Sequence, residues 1–290
     1  MPELPEVEIL ARHLGPLVKN RTIRDVEIRR PRSVRPTSPK QLADALRGAK
    51  FTGLTRRGKY LLFTLRSPHG KEPLLLVGHL GMTGRIYLAP RNKPLPKHTA
   101  VVIGLGRHDL VFEDTRYFGR LTLDTGALAR LGPEPLGAEF TTEYLASALK
   151  RSAQAVKIKL LDQSLVAGVG NIYASEALHR AGIFPGTSAS RLRPAQVQSL
   201  RKAIRDVLTQ AIAGGSTLPL DFAGTGNRDG LFYYGASGSA SQSYGERFLV
   251  YDREGQPCAK CGSRIRRLVQ GARSTFYCPS CQPAVASKGR

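Results

Sequence analysis

Only four cysteines occur in the chain, all between positions 258 and 281, as two pairs, Cys258-Ala259-Lys260-Cys261 and Cys278-Pro279-Ser280-Cys281, sixteen residues apart. A pair two residues apart grips one side of a tetrahedral ion. Two such pairs complete its coordination, with the residues between them folded as a hairpin. In a reducing compartment such a cluster reads as metal rather than as disulfides. One Zn2+ held by Cys258, Cys261, Cys278 and Cys281 is therefore expected. No fifth cysteine or nearby histidine in the sequence offers an open coordination position, so the ion is expected to be structural. Arg264, Arg266, Arg267 and Arg273 lie between the pairs. They make the hairpin either a phosphate or groove contact or a solvated charged face.

The rest of the chain carries the same sign of charge. Lys plus Arg number 44 against 22 Asp plus Glu, a formal net charge of +22 in 290 residues. A protein acting on small neutral metabolites has no use for such a field. The expected partner is a polyanion, nucleic acid before an anionic membrane surface. No run approaches the roughly 20 apolar residues of a membrane span, so an integral membrane protein is excluded. The opening Met1-Pro2-Glu3-Leu4-Pro5-Glu6 has acids where a secretory signal has cations. A cytoplasmic, nucleoid-associated protein is the expectation.

Apolar residues make up 41% of the chain, enough to bury a core, and the length suggests two domains with a small appendage. Leu10, Leu14 and Leu17, with Val7 one turn earlier, predict a helix from about 4 to 17. Short strand-like runs follow at 22–29, 51–56, 60–65, 74–80, 99–105, 109–113 and 119–123, the spacing of a β-sandwich or barrel. Past Leu131-Gly132-Pro133-Glu134-Pro135-Leu136 the pattern is helical, at 141–150, 153–163, 171–181 and 194–213, the last closed by Gly214-Gly215. Residues 215–245 are rich in Gly, Ser, Asp and Tyr without a period, and read as a long functional or mobile loop.

Several positions admit a chemical reading beside an ordinary one. Removal of Met1 before the small Pro2 would leave a secondary amine with a pKa of about 8, partly unprotonated and nucleophilic at neutral pH. Glu3 beside it could donate a proton, and such a pair suits attack on a sugar carbon with ring opening. The ordinary alternative, which chemistry alone favours, is a helix start with Pro5 in its first turn and acids at its positive end. Lys59, entering a strand, is a surface cation or a charge reaching a phosphate or a catalytic centre. Gly168-Val169-Gly170-Asn171 leads into a helix from about Ile172, with Asn171 as its N-cap. It is an anion site at a helix N-terminus or a plain interhelical turn. Met82 in a Gly-bounded turn, and Arg116-Tyr117-Phe118-Gly119, either wedge into a base stack or pack their own turns.

Together these segments resemble the bacterial formamidopyrimidine-DNA glycosylase family (8-oxoguanine DNA glycosylase and AP lyase), from the first residue to Cys281. The resemblance is carried, in order, by Pro2-Glu3-Leu4-Pro5-Glu6-Val7-Glu8, Gly58-Lys59-Tyr60-Leu61, His79-Leu80-Gly81-Met82, the 131–136 segment, Leu161-Asp162-Gln163 through Gly170-Asn171-Ile172-Tyr173-Ala174, and Ser274-Thr275-Phe276-Tyr277-Cys278. It implies an α+β multidomain fold. An N-terminal catalytic β-sandwich would span 1–130, and a helical helix–two-turns–helix DNA-binding domain 131–245. A lesion-capping loop is implied at 215–247, and a C-terminal four-cysteine zinc-finger hairpin over 246–290.

The resemblance also implies base-excision repair of damaged double-stranded DNA by a monomer, and it overrides the ordinary reading of Pro2. By similarity, Pro2 attacks C1′ to form an iminium, or Schiff base, and Glu3 protonates the sugar ring oxygen. Lys59 then serves β-elimination and Arg273 δ-elimination. Met82, Arg116 and Phe118 would fill the void left by a flipped nucleotide, while His98, Arg116, Arg151, Lys157 and Asn171 would contact the DNA. The physics agrees, because a base must leave the stack before its glycosidic bond can be reached, at a cost that inserted side chains offset.

Two rivals share parts of the pattern. An endonuclease VIII-like glycosylase for oxidised pyrimidines shares Pro2, Glu3 and the fold, but Leu4, and Arg116 with Phe118, favour the purine branch. A non-catalytic zinc-containing DNA-binding protein would keep the finger and the helical domain, and would have no need of Pro2, Glu3 and Lys59 together. The stretch from Asp221-Phe222 to Val250-Tyr251 is longer than in typical family members.

Overall fold

The structure, a computed structural model, describes residues 2–68, 70, 72–215 and 248–284. The segment expected to cap a lesion, 215–247, lies outside the described residues except for Gly215. The described chain divides into two compact units: residues up to Ala129 together with Gly214 and Gly215, and Arg130–Ala213 together with residues 248–284.

The first unit opens with α1 (Leu4–Val18), whose Val7, Leu10, Leu14 and Val18 are buried. Glu3 is its N-cap and Glu6 its N3 residue, and the two form a capping box. The Glu3 side chain accepts the Glu6 N–H, and the Glu6 carboxylate accepts the Glu3 N–H at 2.8 Å. Two antiparallel four-stranded sheets follow. One runs β2 (Lys50–Arg57), β3 (Tyr60–Arg66), β4 (Pro73–His79), β8 (Arg120–Thr122); the other runs β1 (Asp25–Ile28), β6 (Thr99–Gly104), β7 (His108–Asp114), β5 (Gly84–Pro90). A side chain at Gly78 on β4 would meet Ile86 on β5 at 3.5 Å, so the two sheets approach face to face there. This is the expected sandwich.

Two elements go beyond the sequence expectation. Strand β5 was absent from it, as was α2 (Pro39–Leu46), which starts with a Ser38 hydroxyl accepting the Gln41 N–H at 3.1 Å and buries Leu42 and Leu46.

The second unit holds α3 (Thr142–Lys150), α4 (Val156–Leu160), α5 (Asn171–Arg180) and α6 (Pro194–Gly215), then β9 (Arg266–Gln270) paired antiparallel with β10 (Arg273–Tyr277). The helix expected over 153–163 is only five residues long, because Ala155 is held extended in a bridge with Ser188. At the other end, Leu161 turns its N–H back to the Ile158 carbonyl at 3.1 Å. Asn171 is not the N-cap of α5. Gly170 takes that place, and Asn171 is the first helical residue, its side chain engaged elsewhere. Glu176 on α5 gathers the chain leading to the cysteines: its carboxylate accepts the backbone N–H groups of Leu249, Val250 and Tyr251 at 2.8–2.9 Å. No helix among the described residues is long and apolar enough to cross a membrane.

Candidate functional site

Pro2 and Glu3 are both buried at the head of α1. The capping box fixes the direction in which the chain enters the helix, and so the place of Pro2. Lys59 occupies the second position of a two-residue hairpin loop, Gly58-Lys59, between β2 and β3. Gly58 has φ 56, as a type II′ hairpin requires of its first loop residue. Lys59 is only 7% exposed. Arg56 joins the two elements: its Nε donates to Glu8 of α1 at 2.8 Å and its Nη1 to the Gly58 carbonyl at 3.1 Å. With Arg56 9% exposed and Glu8 21%, this ion pair is sheltered from water and better placed to hold geometry than a surface pair. Burial raises the Glu8 pKa and Arg56 and Arg12 lower it, with a net depression that keeps the carboxylate ionised.

The expected wedge residues sit on two adjoining loops of this unit. Met82, 41% exposed, lies in the turn between β4 and β5, and Phe118, 49% exposed, between β7 and β8. The loops touch at Gly81, where a Cβ would fall 2.7 Å from the Gly119 nitrogen and where φ is 61. Only glycine fits that position. The Arg116 guanidinium lies over the Phe118 ring, 4.9 Å from its centroid. His98 is half-buried, with Nδ1 3.0 Å from the Tyr117 hydroxyl. His79 at the end of β4 accepts the Gly81 N–H on Nδ1 at 3.2 Å. Burial, then the charges of Lys59 and Arg120, push its pKa down to about 4, so it is neutral at physiological pH.

In the second unit, Arg151 is exposed at the C-cap of α3, free of burial as a phosphate contact needs. Lys157 is different. Its ammonium was expected at the DNA, but the residue has zero exposure. Nζ donates to Asn171 Oδ1 at 2.5 Å, Thr275 Oγ1 at 2.6 Å and the Ser274 carbonyl at 3.1 Å. Asn171 Nδ2 donates to the same Ser274 carbonyl at 3.0 Å. The physical reason is satisfaction of a buried cation, whose three N–H donors all find oxygens on α5 and β10. Arg273 begins β10 and is exposed, one residue beyond the Gly271-Ala272 turn. Both turn residues have positive φ, 53 and 58, the backbone of a type I′ hairpin.

The four cysteine Sγ atoms lie within 4.8 Å of one another, with Cys258–Cys281 at 3.9 Å and Cys261–Cys278 at 3.4 Å. Zn–S bonds of about 2.3 Å in a tetrahedron require sulfurs about 3.8 Å apart. The donor set therefore fits one Zn2+. Sequence reasoning missed a neighbour of this site. His179 of α5, 3% exposed, brings Nε2 to 3.5 Å from Cys258 Sγ. Metal-bound thiolates take such outer hydrogen bonds. The 79-residue separation left no local signal.

Comparison with known proteins accords with this geometry. Residues 1–121 match the formamidopyrimidine-DNA glycosylase N-terminal domain, residues 131–221 the formamidopyrimidine-DNA glycosylase H2TH domain, and residues 255–284 a zinc finger found in FPG and IleRS. A formamidopyrimidine-DNA glycosylase of Desulfitobacterium hafniense is 42% identical over 289 residues, covering 97% of this chain and 100% of its own. One of Symbiobacterium thermophilum is 42% identical over 292 residues, covering 98% and 90%. The chain is also similar to the solved Lactococcus lactis formamidopyrimidine DNA glycosylase bound non-covalently to DNA containing an AP site. That likeness has TM-score 0.83 and 30% identity, over 97% of this chain and 100% of that one. A MutM complex with DNA containing carbocyclic 8-oxo-G gives TM-score 0.83 and 31% identity, over 98% and 100%.

Proposed function

The chain belongs to the formamidopyrimidine-DNA glycosylase family, and on that premise we propose that it excises oxidised purines from double-stranded DNA and cleaves the strand through an iminium on Pro2. It is a DNA glycosylase and AP lyase of base-excision repair, acting as a cytoplasmic, nucleoid-associated monomer. The observation that carries the mechanism is the bracing of its first unit. The capping box fixes Pro2 and Glu3 at the head of α1, and Arg56 ties α1 to the turn bearing Lys59.

The unprotonated Pro2 amine attacks C1′, and the damaged base leaves with the bonding electrons and takes a proton from solvent. The nitrogen then gives up its own proton. Glu3, held at the helix start by the capping box, accepts that proton and passes it to the sugar ring oxygen as the ring opens. The nitrogen lone pair forms the iminium. Water takes a C2′ proton, the C2′–C3′ double bond forms as the C3′–O bond breaks, and the departing 3′ phosphate takes a proton from Lys59; Arg273 serves the second elimination. Met82, Arg116 and Phe118 fill the gap left by the extruded nucleotide. His98, Arg116, Arg151 and Asn171 hold the backbone, and Lys157, bonded to the Asn171 side chain, acts from within rather than at a phosphate. Cys258, Cys261, Cys278 and Cys281 hold one structural Zn2+, which when bound crosslinks the chain below the hairpin that presents Arg273. The role of lesion cap falls by family resemblance to the 215–247 segment, whose Phe232, Tyr233, Tyr234 and Tyr244 offer aromatic faces suited to a base. The net charge of +22 supplies the salt-sensitive search along DNA.

A duplex carrying one 8-oxoguanine tests the reading. Strand cleavage on a gel is expected, and borohydride should fix the protein to the lesion strand through Pro2. One residue added before Pro2, with its retention verified, should abolish trapping because the amine becomes an amide. Normal trapping by that extended protein refutes the nucleophile, and preferential release of an oxidised pyrimidine favours the endonuclease VIII-like rival.

A further inference from the structure

We propose that Asp114 is the positioning residue that sets the two wedge loops in register, so that Met82 and the Arg116–Phe118 pair enter the base stack as one body. The proposal rests on the oxidised-purine reading above and adds a residue that touches neither the nucleotide nor the reacting atoms.

Asp114 ends β7 and is completely buried. Its carboxylate serves both loops at once. Oδ1 accepts the Thr83 hydroxyl at 2.5 Å, from the turn that carries Met82, and the Arg116 N–H at 3.1 Å. Oδ2 accepts the Gly119 N–H at 2.7 Å. The Thr83 hydroxyl in turn lies 3.3 Å from the Arg116 N–H, which closes the bridge. The two backbone bonds at 116 and 119 bracket Tyr117, a bulky residue held in the left-handed region at φ 54. Such a conformation is strained and persists only where its surroundings over-determine it.

A fully buried carboxylate is expensive to desolvate, and here it is met by charge-assisted hydrogen bonds from two loops. The side chains above it are the exposed ones: Met82 at 41% and Phe118 at 49%. Wedges entering a stack meet resistance at their tips, and what resists recoil is the backbone beneath them. Asp114 ties that backbone on both sides of the Gly81–Gly119 contact.

Two substitutions separate this role from general folding. Thr83→Val keeps shape and removes only the hydroxyl that bridges the loops, its bond to Asp114 and its longer contact with the Arg116 N–H. Asp114→Asn keeps shape and sets an amide NH2 against either the Gly119 N–H or the Thr83 and Arg116 donors. Stopped-flow fluorescence of a 2-aminopurine placed beside an 8-oxoguanine reads unstacking. Loss of one hydrogen bond to a charged group should slow that rise about tenfold in Thr83→Val. Cleavage at a pre-formed abasic site, which has no base to extract, should remain close to wild type. Hydrogen exchange without DNA should show faster exchange at Gly119 or at Arg116 in Asp114→Asn, at whichever donor the amide NH2 comes to face.

Wild-type fluorescence kinetics in both variants, or equal losses on the abasic site, would overturn the proposal. Unchanged exchange at both Arg116 and Gly119 in Asp114→Asn overturns it whatever the enzyme does. A wild-type chain that releases no oxidised purine would sink the functional reading instead, and the exchange data still decide the bridge.

Discussion

Acidification should loosen the first unit through one side chain. His79 stacks at a tilt on Tyr60, ring centroids 4.7 Å apart, and accepts the Gly81 N–H on Nδ1. Burial, Lys59 and Arg120 hold its pKa down to about 4, against 6.5 for the free group. The folded state thus takes up this proton later than the unfolded chain does as the pH falls. The stability held by neutral His79 is fully present above pH 6.5 and is lost between there and about pH 4. At about 1.4 kcal/mol per pH unit, the loss across that window is roughly 3 kcal/mol. Protonation also turns Nδ1 from acceptor to donor, breaking the bond that shapes the turn below Met82. His79→Asn sets a carbonyl oxygen near the Nδ1 position and cannot titrate. Urea unfolding from about pH 7 down to about pH 4 should cost the wild type roughly 2–3 kcal/mol more than the variant. Parallel losses in the two proteins would show that His79 is not the group responsible.

Cys278→Ser should release the zinc, free the β9–β10 hairpin with Arg273, and raise the DNA Kd by at least about tenfold, while the first unit keeps its own unfolding transition; normal binding by a variant proven metal-free would contradict this. His179→Phe should fill the same space without the hydrogen bond to Cys258, and a chelator should then strip zinc about tenfold faster; an unchanged release rate removes His179 from the site. Glu176→Gln replaces one acceptor oxygen facing the 249–251 backbone with an NH2 group. The second unit should lose about 1–3 kcal/mol in urea unfolding, and no loss would show that those three bonds carry no net stability.

What sequence reveals here is what is local. Both pairs of zinc ligands are contained within four-residue spans, and the Glu3–Glu6 capping box within a single helical turn, so their geometry follows from spacing alone. For Lys157 the resemblance implies a DNA contact, and its burial is not legible because its partner Thr275 is 118 residues away and only the docking of β10 turns it inward. Asn171 satisfies every preference for an N-cap, yet the pull of Lys157 and the Ser274 carbonyl places it one residue inside the helix. His179 is hidden for the same reason of distance. Strand β5 is masked by the Gly84 and Pro90 at its ends, which read as turn residues. Helix α2 did leave a signal, Ser38-Pro39 followed by Leu42 and Leu46, inside a stretch whose prolines and arginines obscure it.

The Arg56–Glu8 pair has a consequence for how activity can be lost. With α1 so close to β2 that a Cβ added at Gly15 would fall 3.6 Å from Leu54, and with Arg56 gripping both Glu8 and the Gly58 carbonyl, helix and hairpin form one clamped tool-holder. Pro2 and Lys59, the nucleophile and elimination lysine of the proposed mechanism, sit at its two working ends. Such a holder has no slack to give up by degrees: it stays true until it comes apart. On warming, the enzyme should keep its full rate law up to the melting of the first unit and then lose it in a single step, with no half-active form in between.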